Sequence, residues 1–447
     1  MSFILFFLFV FGLLIYPKLI INIFLGISII IPATHGSSAY KLQLIGFNFS
    51  YTDLLILAFF LSLIIKSIIN HKTIFTLNFN KKTVLAFIII NLIYLIIGIL
   101  IYNNLSQSFY DSRVVFYYSL LLINFNVFLS KKDFTSIIYA FLVSLAIYSI
   151  LCITLFFSFD NHPYAIFFLE DNFISFGRIG FQQDYLFIIA IPYVVNLIKN
   201  IKDKRKVFLY LLLTVYILKV LLGMSRGLLF FILLNLLFCF WDMKLNLRFI
   251  KRSFFIAFMK LIAISATLIF IIFNYFMPLI FKDESSTVTA YLVSRFTAAF
   301  ASDNSSFVAA HVDNRLLMWK QGIFEIFNSV FMGRGYGYTF VIDHPEWYSK
   351  PLSFIDSSFV TIILRSGIFA FILLLIIYYN QRIILKKSIF LSDQVTNNLF
   401  LRTLYTSIPI LLLLAVLNGY MVFSTSIFSL ILIFSIINSV YENKSEA

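Results

Sequence analysis

The sequence predicts an all-α polytopic membrane protein, with 12 or 13 transmembrane helices and one large external loop. Three observations carry that reading. Of 447 residues, 61% are hydrophobic and only 12% charged, and mean hydropathy is +0.97; a water-soluble domain of this composition would have an apolar surface. Apolar runs recur near the length needed to cross a hydrocarbon core of ~30 Å. Between them, clusters of Lys and Arg occupy every second connection.

The net charge of +14 is dispersed among short loops. That is the positive-inside pattern and not a nucleic-acid surface. The N-terminus is apolar, without a basic leader or a small-residue cleavage site, and is expected to be a retained membrane segment. Cys152 and Cys239 both fall inside apolar runs, so no disulfide, thiolate nucleophile or zinc set is expected from them.

In order, residues 3–33 hold two short apolar runs broken at Pro17-Lys18, either a hairpin or one kinked span. Spans follow at about 52–69, 83–102, 114–129, 135–158, 184–199, 207–222, 227–241, 253–277, 357–379, 402–417 and 423–441. Lys72, Lys81 and Lys82 fall in one connection, Lys131 and Lys132 in the next but one, and the alternation continues to Arg382, Lys386, Lys387 and Arg402. The basic loops are therefore cytoplasmic, and loops 103–113, 159–183, 223–226, 278–356 and 418–422 face outside or the periplasm. Three regions result: N-terminal helices (1–277), a large external loop (278–356) and C-terminal helices (357–447).

The unusual residues gather on the external face. Arg226 is the sole charge of the short turn Gly223-Met-Ser225-Arg226-Gly227. A guanidinium beside helix N-terminal amides suits a phosphate or pyrophosphate, although a boundary arginine also snorkels to headgroups. Arg315, Trp319 and Gly322 share one face of a helix-like stretch, with Asp313 or Asn314 as its N-cap; the competing view is an amphipathic helix resting on the bilayer. Asp356 precedes an apolar helix and is either its N-cap or a general base acting on a sugar hydroxyl. His311 and His344 are alternative bases by chemistry. No Asp-x-Asp pair stands on the external side, which favours a metal-free reaction. There is no Walker loop and no Gly-rich dinucleotide turn.

These segments resemble the O-antigen polymerase/ligase superfamily, membrane glycosyltransferases that use polyprenyl-diphosphate sugars. The matching features are Ser225-Arg226-Gly227, Arg315-x3-Trp319, Gly333-Arg334-Gly-Tyr-Gly337, and Asp356-Ser357 followed after nine residues by Gly367-Ile-Phe-Ala370. Gly177-Arg178-Ile-Gly-Phe181 is similar to the family's smaller external loop. Ligases of this superfamily typically carry histidine where Asp356 stands, which leaves a Wzy-type polymerase ahead.

The resemblance implies a GT-C-like fold in the inner membrane and an inverting, metal-free transfer of glycan from undecaprenyl diphosphate to a lipid-linked oligosaccharide repeat unit. No cofactor is implied. Arg226 and Arg315 would hold the diphosphate, Asp356 would act on the acceptor, and Arg178, Arg334, Trp319 and Ser225 would bind substrate. A chain-length regulator and a flippase are candidate membrane partners. The alternatives are a ligase and a lipid-linked sugar flippase. Lys219, Lys260 and Arg365 inside apolar spans favour transport, whereas the absence of a legible internal repeat opposes it. Lys219, seven residues before Arg226, is alternatively a residue facing the same cavity.

Overall fold

A computed structural model describes residues 2–31, 42–44, 47–49, 51–70, 79–157, 182–201, 205–222, 226–242, 307–327, 329–340, 355, 357–417 and 425–442. The span expected at 253–277 lies outside them. Four helices among the described residues are long and apolar enough to cross a membrane: Asn80–Tyr102, Lys131–Leu155, Ser358–Phe390 and Val395–Leu417. The chain has the build of an α-helical membrane protein. It divides into two compact units, Met1–Cys239 with Gly322–Ala447, and Phe240–Gln321.

The first unit opens with α1 (Ser2–Ile15) and α2 (Pro17–Ile30). Pro17 has no N–H to continue the hydrogen-bond ladder, and it sits at the first position of α2. The Phe9 and Phe24 rings lie 4.7 Å apart, whereas a straight helix would separate them by about 22 Å. The break is therefore a hairpin and not a kink. A short antiparallel pair, β1 (Leu42–Leu44) and β2 (Phe47–Phe49), follows and was not expected from the sequence. Next come α3 (Tyr51–Asn70), α4 (Phe79–Tyr102) and α5 (Leu105–Tyr117).

The span expected at 114–129 is not one helix. Beyond α5 the chain makes 3₁₀ turns at Tyr118–Leu122 and Phe125–Val127. Asn124 interrupts it by accepting the Asn126 amide with its own side chain. The backbone groups released are taken up by serines of α13 (Thr425–Glu442): Ser435 donates to Leu120 O, and Ser439 accepts from Phe125 N at 2.8 Å. Such pairing permits irregular backbone inside a membrane bundle. The described side chains of α13 are buried along the whole helix, the mark of a central helix.

The other long helices described in this unit are α6 (Phe134–Phe157), α7 (Phe187–Asn200), α8 (Arg205–Leu222), α9 (Arg226–Asp242), α11 (Ser358–Phe390) and α12 (Val395–Leu417), with a 3₁₀ turn at Gln182–Leu186 leading into α7. α11 runs eleven residues past its expected end at 379. Between α9 and α11 lies α10 (Phe307–Phe327), whose first fifteen residues, with 240–242, are the described part of the second unit. One end of the first unit is basic: Lys18 pairs with Asp133 at 3.1 Å, and Lys131 donates to Leu391 O at 3.2 Å.

α11 is broken at Gly367, which has φ 74° and ψ 176°, a conformation almost confined to glycine. Gly367→Ala is expected to lower stability by about 1–3 kcal/mol, read as a fall in thermal unfolding temperature in detergent. Gly227→Ala, where an added methyl meets open space, leaves that temperature unchanged or raised.

Candidate functional site

Residues 329–340 connect α10 to the chain before α11, and they are built into the first unit. Arg334 N donates to Leu364 O at 2.6 Å and Gly335 N to Arg365 O at 2.9 Å, using the carbonyls exposed by the break at Gly367. On the other side, Tyr102 donates its hydroxyl to Arg334 O at 2.7 Å. Gly98 of α4 lets the segment approach: a side chain there would run into the Tyr336 carbonyl. Gly333, Gly335 and Gly337 all have positive φ, so this tight path needs its glycines. The Gly-Arg-Gly-Tyr-Gly run and Gly367, two parts of the sequence resemblance, thus form one packed joint.

Beneath the joint lies a buried ion pair. Arg365 Nη2 is 3.0 Å from Asp111 Oδ1, with the two side chains 2% and 0% exposed. Arg365 Nη1 donates to Asp111 O at 3.1 Å, and Gln107 donates to Asp111 Oδ1 at 2.9 Å. The guanidinium lies 5.7 Å from the centre of the Tyr336 ring. The buried Tyr336 hydroxyl donates to Asn91 Oδ1 at 2.6 Å. Ser366 donates to the same oxygen at 2.7 Å. α4, α5, α11 and the joint are tied by one polar network inside an apolar bundle.

Arg334 lies on the outer side of the joint. Its Nη2 is 3.2 Å from Glu325 Oε2, with the Arg334 side chain 34% exposed. Tyr338 donates to the same carboxylate oxygen at 2.8 Å; burial, then this hydrogen bond, push its hydroxyl up to about 12. The Tyr102 and Tyr338 rings lie 5.8 Å apart. The result is a half-exposed guanidinium balanced by a carboxylate and flanked by two phenols.

A second buried pair joins α8 to the turn before α7. Lys219 Nζ is 2.6 Å from Asp184 Oδ1, and Tyr148 donates to that oxygen at 2.7 Å. The intramembrane charges Lys219 and Arg365 are both answered by carboxylates. Lys260 lies outside the described residues.

Of the candidates read from sequence, Arg178, Ser225, Asp356 and the alternative base His344 lie outside the described residues. Arg226 is the first residue of α9. Arg315 and His311 fall inside α10, and Trp319 is half-buried on that helix. Two expectations are corrected. α10 begins at Phe307, so Asp313 and Asn314 are interior and cap nothing; Phe-Val-Ala-Ala carries the helix earlier. The N-cap of α11 is Ser357, whose side chain accepts from Val360 N, so Asp356 is not the cap.

Asp111, Asn91, Gly98, Tyr102 and Glu325 were missed. The signal that finds Asp111 is the buried Arg365, which needs a carboxylate partner. Among the described residues no three His, Cys, Asp or Glu side chains gather as metal ligands. No family model matches the chain, and no curated protein matches it.

Removing one partner of a buried pair strands the other charge, at a cost of about 3–5 kcal/mol. Arg365→Met is therefore expected to cut the yield of monodisperse protein severely. The double variant Arg365→Met with Asp111→Asn recovers much of that yield, as measured by size-exclusion chromatography.

Proposed function

We propose that the protein is a Wzy-type polysaccharide polymerase of the inner membrane, working at the periplasmic end of its helices. The observation that carries the reading is the joint: Arg334 and Gly335 of the glycine-rich run are hydrogen-bonded to Leu364 and Arg365, on the helix whose cap Ser357 follows Asp356 in sequence. Two segments behind the resemblance, Gly333–Gly337 and the break at Gly367, meet on the half of α4 and α11 away from the basic end. The basic end is the cytoplasmic one under the positive-inside rule. The whole would be a GT-C-like enzyme with the 278–356 region as its external loop.

The substrates are a growing glycan on undecaprenyl diphosphate and a lipid-linked repeat unit. The acceptor's hydroxyl oxygen attacks the donor's anomeric carbon on the face opposite the diphosphate, and the carbon–oxygen bond to the diphosphate breaks. Asp356 takes the hydroxyl proton. Arg226, at a helix N-terminus whose amides favour anions, and Arg315 balance the charge on the leaving diphosphate. The resemblance gives Arg178, Arg334, Trp319 and Ser225 substrate-binding roles. The reaction needs no divalent cation.

Purified protein given a lipid-linked repeat unit in detergent with EDTA is expected to produce a ladder of longer glycans on gels. Single transfers to another acceptor instead would mark a ligase, and no glycan growth would sink the reading. Arg226→Lys keeps the charge but not the planar fork that matches a phosphate, and should abolish most of the ladder. Ser357 holds the cap, so Asp356→Asn should fold normally while losing a factor of about 10² to 10⁴ in rate.

A further inference from the structure

The stretch Phe324-Glu-Ile-Phe-Asn-Ser-Val-Phe-Met332 carries one charge, Glu325, and that charge is paired with Arg334. Four of its large apolar side chains are exposed. Phe331 is 69% and Met332 73% exposed, and Phe324 and Phe327 are exposed with them. The Val330 carbonyl accepts from Ile368 N at 2.9 Å, which sets this corner beside exposed Phe369 of α11. In water such a cluster would be a liability rarely left open on a monomer.

Two helices give the depth of this corner. Arg382, the first exposed basic residue of α11 past its break, is 15 residues beyond Gly367, and exposed Lys82 of α4 is 16 residues before Gly98. At 1.5 Å per residue both contact points stand about 22–24 Å above these charges, which mark the near boundary of the hydrocarbon. A hydrocarbon core is ~30 Å thick, so the joint lies about 6–8 Å inside its far boundary. That is the depth at which interfacial amphipathic helices seat their apolar face, about 5–10 Å into the boundary. Leu100 of α4, exposed at the same level, continues the apolar surface.

We propose that Phe324–Met332 is an interfacial wedge, and that lipid acyl chains of the leaflet opposite the basic end cover Phe324, Phe327, Phe331 and Met332. The wedge holds the glycine-rich joint at the membrane boundary. It also gives the Arg334–Glu325 pair its reason: an unneutralised charge at this depth is costly. The proposal does not depend on the chemistry assigned to the site.

The test places a fluorescent bimane on single introduced cysteines in proteoliposomes; native Cys152 and Cys239 are buried. Phe331→Cys and Phe327→Cys replace exposed side chains, and Ser106→Cys, exposed beside the α4–α5 turn, is the water-facing control. Quenching by acyl-chain spin-labelled lipid, relative to aqueous iodide, should be several-fold higher at 331 and 327 than at 106. A ratio at 331 and 327 equal to or below that at 106 overturns the wedge.

Discussion

An arginine buried among apolar helices must be answered by a carboxylate, and the Arg365–Asp111 pair at 3.0 Å is the contact on which this part of the molecule depends. It fixes α11 against α5, and so fixes where the break at Gly367 falls. The break exposes the carbonyls of Leu364 and Arg365 to the amides of Arg334 and Gly335. Backbone at this level of a membrane bundle is stable only when its polar groups find partners in the protein. Charge pairing, helix break and glycine run are thus one device, each part conditional on the others.

The same device settles what neighbouring polar residues are free to do. With Ser357 capping α11, Asp356 has no capping duty. Arg334 is in a different position, since Glu325 already balances it. Any anion drawn to Arg334 would have to compete with that carboxylate. Tyr102 and Tyr338 flank the pair, their hydroxyls donating to Arg334 O and to Glu325.

Helix positions were legible because uninterrupted apolar runs of membrane length have few other solutions. Pro17-Lys18 marked a break, but choosing hairpin over kink required the contact between Phe9 and Phe24, which no local pattern encodes. The run 114–129 misled because apolarity alone does not reveal that Asn124 turns the chain and that Ser435 and Ser439, some 315 residues away, satisfy the freed backbone. Of the two roles open to Asp356, cap or general base, adjacency suggested the first, but the residue one place on has the extended backbone a cap requires. Gly333–Gly337 and Gly367 were visible as motif elements. Gly98, against which Gly335 and Tyr336 pack, was not, because a lone glycine in an apolar helix looks like any small packing residue.

The most direct measurement of the account is hydrogen exchange of the Arg334 and Gly335 amides in lipid nanodiscs. Donated to Leu364 and Arg365 inside the bundle, they should exchange as slowly as amides in the middle of α4 and far more slowly than Leu105 and Ser106, which are exposed at the start of α5. Exchange of 334 and 335 as fast as at 105 and 106 would mean that the glycine-rich run is an open loop, and the joint described here would not exist in the membrane.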